Sequence, residues 1–291
     1  MSELSAAERG ALARAAGAAR TGRFTFLRHR LERVVVPVLL LVLWEAVARS
    51  GWLPRALLPA PSLVAWSLLD WVFGIDESAQ AYSGHWYLDA AASAFRVFSG
   101  FAIAAVSATV LGIAIGWSRL VERTIEPTIQ LLRPVPPVSW IPLAIVWFGV
   151  ANKPAIFLVF LATFFPILIN TIHGTRTIDR NLIRAAAMVG TEGLGIIRFV
   201  VLPAALPSIM AGLRISIGIA WMVTVTAEML AVKSGLGYVL WDSYYFLRYD
   251  LVMAAMASIG LLGFLSDLGL KRIMAIVLHW QRGATVEGLD R

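Results

Sequence analysis

Long apolar runs alternate with short polar or proline- and glycine-rich segments along most of the chain. The runs lie at Val34–Ala48, Phe95–Gly116, about Ile125–Val150, Ala155–Ile172, about Ser208–Ala231 and about Leu251–Leu270. Segments of this length and greasiness are read as helices that cross a bilayer, because only a helix satisfies its own backbone polar groups in lipid. The pattern predicts an all-α polytopic membrane protein with about six transmembrane helices. The segment between the first two runs is different. Pro54, Pro59 and Pro61 break it, Ser62 caps a short amphipathic helix to Asp70, and Asp70, Asp76, Glu77 and Asp89 make it acidic. Its aromatic residues (Trp52, Trp66, Trp71, Phe73, Tyr82, Trp86 and Tyr87) suit a membrane–water interface.

Two runs carry irregularities. Arg28, Arg30 and Arg33 flank Val34–Ala48, and Ala46-Val47-Ala48 superficially fits a secretory signal. The preceding region is longer than a whole signal peptide of roughly 15–30 residues, so an uncleaved first span is expected. The third run holds Arg133-Pro134-Val135-Pro136-Pro137 in its middle, with Trp140 just beyond. Proline removes a backbone donor and clashes with the preceding turn, so a regular helix does not continue through these residues. Broken backbone at membrane depth is tolerated only inside protein or along a watery cavity. Two readings stand side by side: Arg133 snorkels near the cytosolic interface beside a re-entrant turn, or Arg133, Pro134, Pro136, Pro137 and Trp140 border a translocation pathway. The fifth run carries Arg214 and Glu228, about 21 Å apart on one helix and therefore not each other's partners. Glu228 is either a residue near a helix end paired with a neighbour, or a gate in the pathway. Gly112 and Gly116 in the second run form a small-xxx-small pair that lets an unspecified helix come close.

Composition agrees. The 291 residues are 59% hydrophobic and 15% charged, where soluble domains run at about 45–50% and about 25%. The net charge of +7 does not indicate nucleic acid, because a Lys/Arg excess is what cytosolic loops of a membrane protein carry. With the amino terminus inside, segments 1–33, 117–124, 174–205 and 271–291 hold 17 Lys/Arg and the outer segments hold 5. That asymmetry places both termini in the cytosol. Residues 1–33 then form a basic cytosolic extension, 34–280 the transmembrane domain, and 281–291 a cytosolic tail.

Catalytic patterns are missing. There is no cysteine, no lysine follows a glycine, so no phosphate-binding loop exists, and the four histidines (His29, His85, His173 and His279) are scattered. No catalytic residue, metal ligand or cofactor site is expected in this chain. Uphill transport would draw on an ion gradient or on a separate protein. The segment at about 174–207 is neither greasy nor loose. From Arg180 it reads as a short helix, with small residues on one face beside Arg180 and Arg184, held between the fourth and fifth spans on the cytosolic side. Such a helix docks.

That segment carries the resemblance. Arg184-Ala185-Ala186, Gly190, Val200 and Leu202-Pro203 reproduce the spacing E-A-A-x3-G-x9-I-x-L-P, with Arg at the acidic position and Val at the Ile position. The chain thereby resembles permease subunits of binding-protein-dependent ABC importers. LLRPVPPVSWIPLAIVWFG (131–149), FFPILINTIHGTR (164–176), LPAALPSIMAGLRISIGIAW (202–221) and Ala227-Glu228 followed by SGLGY (234–238) look like the nitrate, sulfonate, taurine and bicarbonate branch. The resemblance implies a bacterial inner-membrane importer of a small anion, built from two copies of this chain. It also implies two cytosolic ATPase subunits that bind ATP and Mg, and an extracytoplasmic substrate-binding protein. Arg180, Arg184, Ala185, Ala186, Gly190, Leu202 and Pro203 would couple to the ATPase. A gradient-driven transporter with a broken third helix is the alternative, and an enzyme using Glu228 a distant third.

Overall fold

The structure, a computed structural model, describes residues 35–52, 54, 57–75 and 82–280. The amino-terminal extension 1–33 and the tail 281–291 lie outside the described residues, as do Asp76 and Glu77 of the acidic segment. Two compact units divide at Ala65 and Trp66. In the first, residues 35–49 form helix α1, so the first apolar run is helical wherever it is described. Glu45 on α1 accepts from the Ser62 backbone N–H at 3.1 Å and hydroxyl at 2.8 Å, and Arg49 donates to it at 2.5 Å. This carboxylate fixes the start of α2 (Pro61–Phe73).

All regular secondary structure among the described residues of the second unit is helical. After α2 come α3 (Trp86–Trp117), α4 (Arg119–Leu132), a 3₁₀ turn (Pro137–Trp140), α5 (Ile141–Phe148), α6 (Asn152–Arg176) and α7 (Arg180–Met188). Then α8 (Leu194–Ile196) and a π-helical turn (Ile197–Val201) run into α9 (Leu202–Ala231), followed by α10 (Leu236–Tyr245) and α11 (Tyr249–Val277). Among the described residues, four helical stretches, α3, α6, α8–α9 and α11, are long and apolar enough to cross a membrane. A fifth exists if α4 and the 137–148 segment, bent by 85°, count as one. The broken third run is therefore seen directly: Arg133 N–H makes the last regular bond, to Ile129 O at 2.9 Å, and the prolines that follow have no N–H to continue it.

Small residues bring α3, α6 and α9 together. A Cβ on Gly100 would lie 2.7 Å from Val159, one on Gly112 2.6 Å from Thr171, and one on Gly116 2.5 Å from Thr175. The partner of the Gly112/Gly116 pair is thus α6. On the other side of α6, Gly174 meets Ser208 and Gly212 meets Asn170. Backbones this close need glycine. Ala104, Ala108, Ile115, Ile167 and Leu168 fill one core, and Ile141, Ala155, Leu158, Ala162, Val223 and Ala227 a second. Buried threonines keep their hydroxyls satisfied in this dry interior by donating to the preceding turn, as Thr163, Thr171 and Thr224 do.

Several boundaries differ from the hydropathy reading. α3 starts at Trp86 rather than Phe95 because Asp89, Ser93 and Arg96 are polar yet buried among partners, which lowers hydropathy without ending the helix. The basic turn at Arg119–Arg123 is the first turn of α4, capped by Ser118. Residues 232–250, which lie between the last two apolar runs, contain α10, where Trp241 and Tyr244 stack at 5.6 Å. The apolar residues Ile273, Ile276 and Val277 belong to the end of α11.

Candidate functional site

Three places gather the residues singled out above. The first is the connection between α6 and α9. Asp179 caps α7 by accepting from Asn181 N–H at 2.8 Å. At the other end Gly190 has φ +83°, and the N–H groups of Gly190 and Thr191 donate to Ala187 O and Ala186 O, each at 3.0 Å. This left-handed stop costs a residue with a Cβ about 1–2 kcal/mol, which is the physical reason for glycine at the fourth position after Ala186. No residue of α7 is buried. Arg180, Arg184 and Ala185 are exposed, Ala186 is half-buried, and Leu202 and Pro203 open α9 half-buried. Arg184 has no ion-pair partner among the described residues. Around it, Leu182, Met188 (86% exposed), Val189, Leu194 and Phe199 present large apolar side chains outward. Exposed apolar clusters of this kind occur at protein and membrane contacts.

The second place is the break after α4. Arg133, Pro134 and Pro136 are exposed and Pro137 and Trp140 half-buried. Arg133 lines a cavity of about 600 Å³ with Glu126, Gln130, Pro134, Ile169 and His173. A second cavity of about 360 Å³ brings Arg133 and Pro137 together with Phe165 and Asn170. The guanidinium thus borders both cavities, and it has no ion-pair or hydrogen-bond partner among the described residues. Arg176 differs: it is held by Glu122 and Glu126, each at 2.9 Å. Trp140 packs edge-on against Phe157 of α6, away from Arg133's cavities.

The third place is a buried polar knot between α3, α9 and the segment before α10. Glu228 has no exposed surface. Its carboxylate accepts from Arg96 Nη1 at 2.5 Å, Ser93 Oγ at 2.9 Å and Gly237 N–H at 2.8 Å. Arg96, itself 1% exposed, donates further to Asn152 Oδ1 at 2.9 Å, Ser234 O at 2.8 Å and Ser234 Oγ at 2.6 Å. Asp89 accepts from Gly235 N–H at 3.2 Å and Trp71 Nε1 at 3.4 Å. Every strong donor and acceptor in the knot is used. Of the two readings of Glu228, pairing with a neighbouring helix is the one this geometry displays. Along the chain Glu228 stands far from its partners Arg96 and Ser93 and from Asn152, which Arg96 also holds, and nothing local links it to Ser234. The available signal was the presence of two opposite charges, Arg96 and Glu228, in separate apolar runs.

Residues 108–282 match the family described as binding-protein-dependent transport system inner membrane component. The chain is similar to a putative aliphatic sulfonates transport permease protein, SsuC, of Escherichia coli K12. Identity there is 38% over 248 residues, covering 84% of this chain and 90% of the relative. It is also similar to the taurine transport system permease protein TauC of the same organism, at 34% over 241 residues, covering 83% and 86%. Among solved structures, an inward-facing form of the MetNI methionine ABC transporter shares the fold. The TM-score is 0.53 at 18% identity, over 75% of this chain and 98% of that one.

Proposed function

Because the chain belongs to the binding-protein-dependent transport inner membrane component family of ABC importers, we propose that it is the permease for a small oxyanion of sulfonate type. Membership makes it a multi-pass transport component rather than a catalytic subunit. In this reading six spans, α1 included, put both termini in the cytosol of a bacterial inner membrane. Residues 34–280 are the permease domain, with 1–33 and 281–291 as cytosolic extension and tail. Two copies enclose the pathway, two ABC ATPase subunits bind ATP and Mg beneath them, and an extracytoplasmic binding protein delivers the substrate.

The observation that carries the proposal is α7 with its glycine stop. Arg180, Arg184, Ala185, Ala186 and Gly190 form an exposed helix with an apolar rim, in a chain that has no phosphate-binding loop. α7 inserts into a cleft of the ATPase, and Leu202-Pro203 passes the motion to α9 as rigid-body movement. Arg184 replaces the acidic residue of the motif, so the contact there is with an acidic or neutral ATPase surface. Arg133, Pro134, Pro136, Pro137 and Trp140 belong to the broken segment that walls the pathway, where the unpaired guanidinium favours anions. Glu228 holds α3 and α9 together and does not gate.

The test separates bulk from backbone. Gly190→Arg should keep the protein in the membrane but abolish ATPase co-purification and ATP-driven taurine uptake. Gly190→Asn, which tolerates the left-handed conformation, should retain much of both. Normal uptake by Gly190→Arg would overturn the docking assignment. Uptake that survives ATP depletion and collapses with an uncoupler would restore the gradient-driven alternative.

A further inference from the structure

A second ion pair lies within the spans and is built differently from the buried knot. Arg214 of α9 donates to Asp267 of α11 through Nε to Oδ1 at 2.9 Å and through Nη2 to Oδ2 at 3.2 Å. Arg214 stands about 18 Å along α9 from Leu202 and about 26 Å from Ala231. Asp267 stands about 15 Å along α11 from Val277. Both lie inside helices long enough to cross the membrane, Arg214 six residues after the start of the fifth apolar run and Asp267 three before the end of the sixth. Yet their side chains are 46% and 37% exposed. Beside them the α9–α11 seam is closed, with Trp221 Nε1 donating to Ser266 Oγ at 3.0 Å and its ring packed over Gly263. The pair sits at the open edge of that seam.

Charged groups inside a span face protein, water or, by snorkelling, the interface, because hydrocarbon does not solvate them. A purely structural pair needs its remaining hydrogen-bonding capacity filled, as Arg96 and Glu228 show. Arg214 leaves Nη1 without an acceptor among the described residues. Its face of α9 continues through Gly218 and Met222, at one-turn spacing; both are exposed, and a Cβ on Gly218 would meet nothing within 4 Å. A charge with a free donor edge, beside a small residue in open space, suits the wall of a wet passage.

We propose that Arg214 is an anion site on the wall of the translocation pathway toward its cytosolic end, with Asp267 as its resident counter-ion. This rests on the importer reading above. A carboxylate, sulfonate or other oxyanion head takes the free Nη1 edge of the guanidinium while Asp267 keeps the other. Asp267 does two things: it fixes the guanidinium plane, and it offsets most of the charge so that a passing anion is attracted without being trapped. Conduction requires both.

The chain contains no cysteine, so Gly218→Cys supplies one thiol on this face of the full transporter in its membranes. Right-side-out and inside-out vesicles would be treated with anionic (sulfonatoethyl) and cationic (trimethylammonioethyl) methanethiosulfonates, with and without ATP. Both water-soluble reagents should label Gly218→Cys from at least one side. Adding Asp267→Asn should raise the anionic-to-cationic rate ratio about threefold to tenfold, and adding Arg214→Gln should lower it by a similar factor. Reaction only with membrane-permeant N-ethylmaleimide would overturn the proposal by placing the face in lipid. An unchanged ratio in both variants would remove the anion site. Because Gly218→Cys alone already tests access, poor folding of a charge variant does not shelter the idea. ATPase co-purification does not involve this face, so its loss or retention judges the importer reading separately.

Discussion

Replacing Glu228 with Gln tests whether the buried knot is the main clasp between α3 and α9. The change is nearly isosteric. It leaves Arg96, 1% exposed, as a buried cation facing a neutral amide. It also turns one carboxylate oxygen into an NH2 group. In the native arrangement Oε1 accepts from Arg96, while Oε2 accepts from Ser93 Oγ and Gly237 N–H. Whichever way the amide points, one of these positions pairs donor with donor. Removing one partner of a buried ion pair costs about 3–5 kcal/mol, mostly because the other charge stays behind. At roughly 2–4 °C per kcal/mol for a chain of this size, the detergent-solubilised protein should lose about 6–20 °C of thermal midpoint. The double variant Glu228→Leu with Arg96→Met removes both charges, and it should be more stable than Arg96→Met or Glu228→Leu alone. A double-mutant cycle reads that coupling directly. If Glu228→Gln shifts the midpoint by less than about 2 °C, or if the single effects simply add, the knot is not a clasp and the burial argument fails.

Two further outcomes follow from packing and ionisation. Gly100→Ala places a methyl 2.7 Å from Ile156 O and Val159, so α3 and α6 must part, at about 1–3 kcal/mol. Gly269→Ala meets nothing within 4 Å and should be neutral or stabilising; equal midpoints for the two variants would refute the packing account. At the far end of α3, burial first, and then donation to the Asp242 carboxylate, pushes the Tyr82 phenol above its ordinary value. A raised native value means that the contribution of Tyr82 is complete below about pH 10 and is lost as pH climbs through the shifted value. The stability gap between wild type and Tyr82→Phe should therefore stay level from pH 6 to pH 9 and narrow only on the alkaline side, as followed by thermal midpoints. A gap that narrows between pH 6 and pH 9 would show that another group controls it.

The apolar runs by themselves determined that the chain is helical and multi-pass, because no other arrangement hides that much hydrocarbon and satisfies the backbone in lipid. The prolines after Arg133 determined the break, since a missing N–H acts locally whatever surrounds it. The spacing from Ala185 to Pro203 likewise stood in the sequence, and the left-handed turn at Gly190 explains why one of its positions is glycine. Other features depended on distance in space. Asp89, Ser93 and Arg96 lowered the hydropathy of the start of α3 and hid nine residues of helix, because a window of residues carries no record of partners on other helices. Arg96 and Glu228 are 132 positions apart, and only the packing of α3 against α9 turns two costly isolated charges into one satisfied pair. The same holds in reverse for Arg214. Along the chain it resembles Arg96, an arginine in an apolar run. What distinguishes them is that tertiary structure closes around Arg96 and leaves one edge of Arg214 open, and an ion's energy depends on what surrounds it rather than on its place in the sequence.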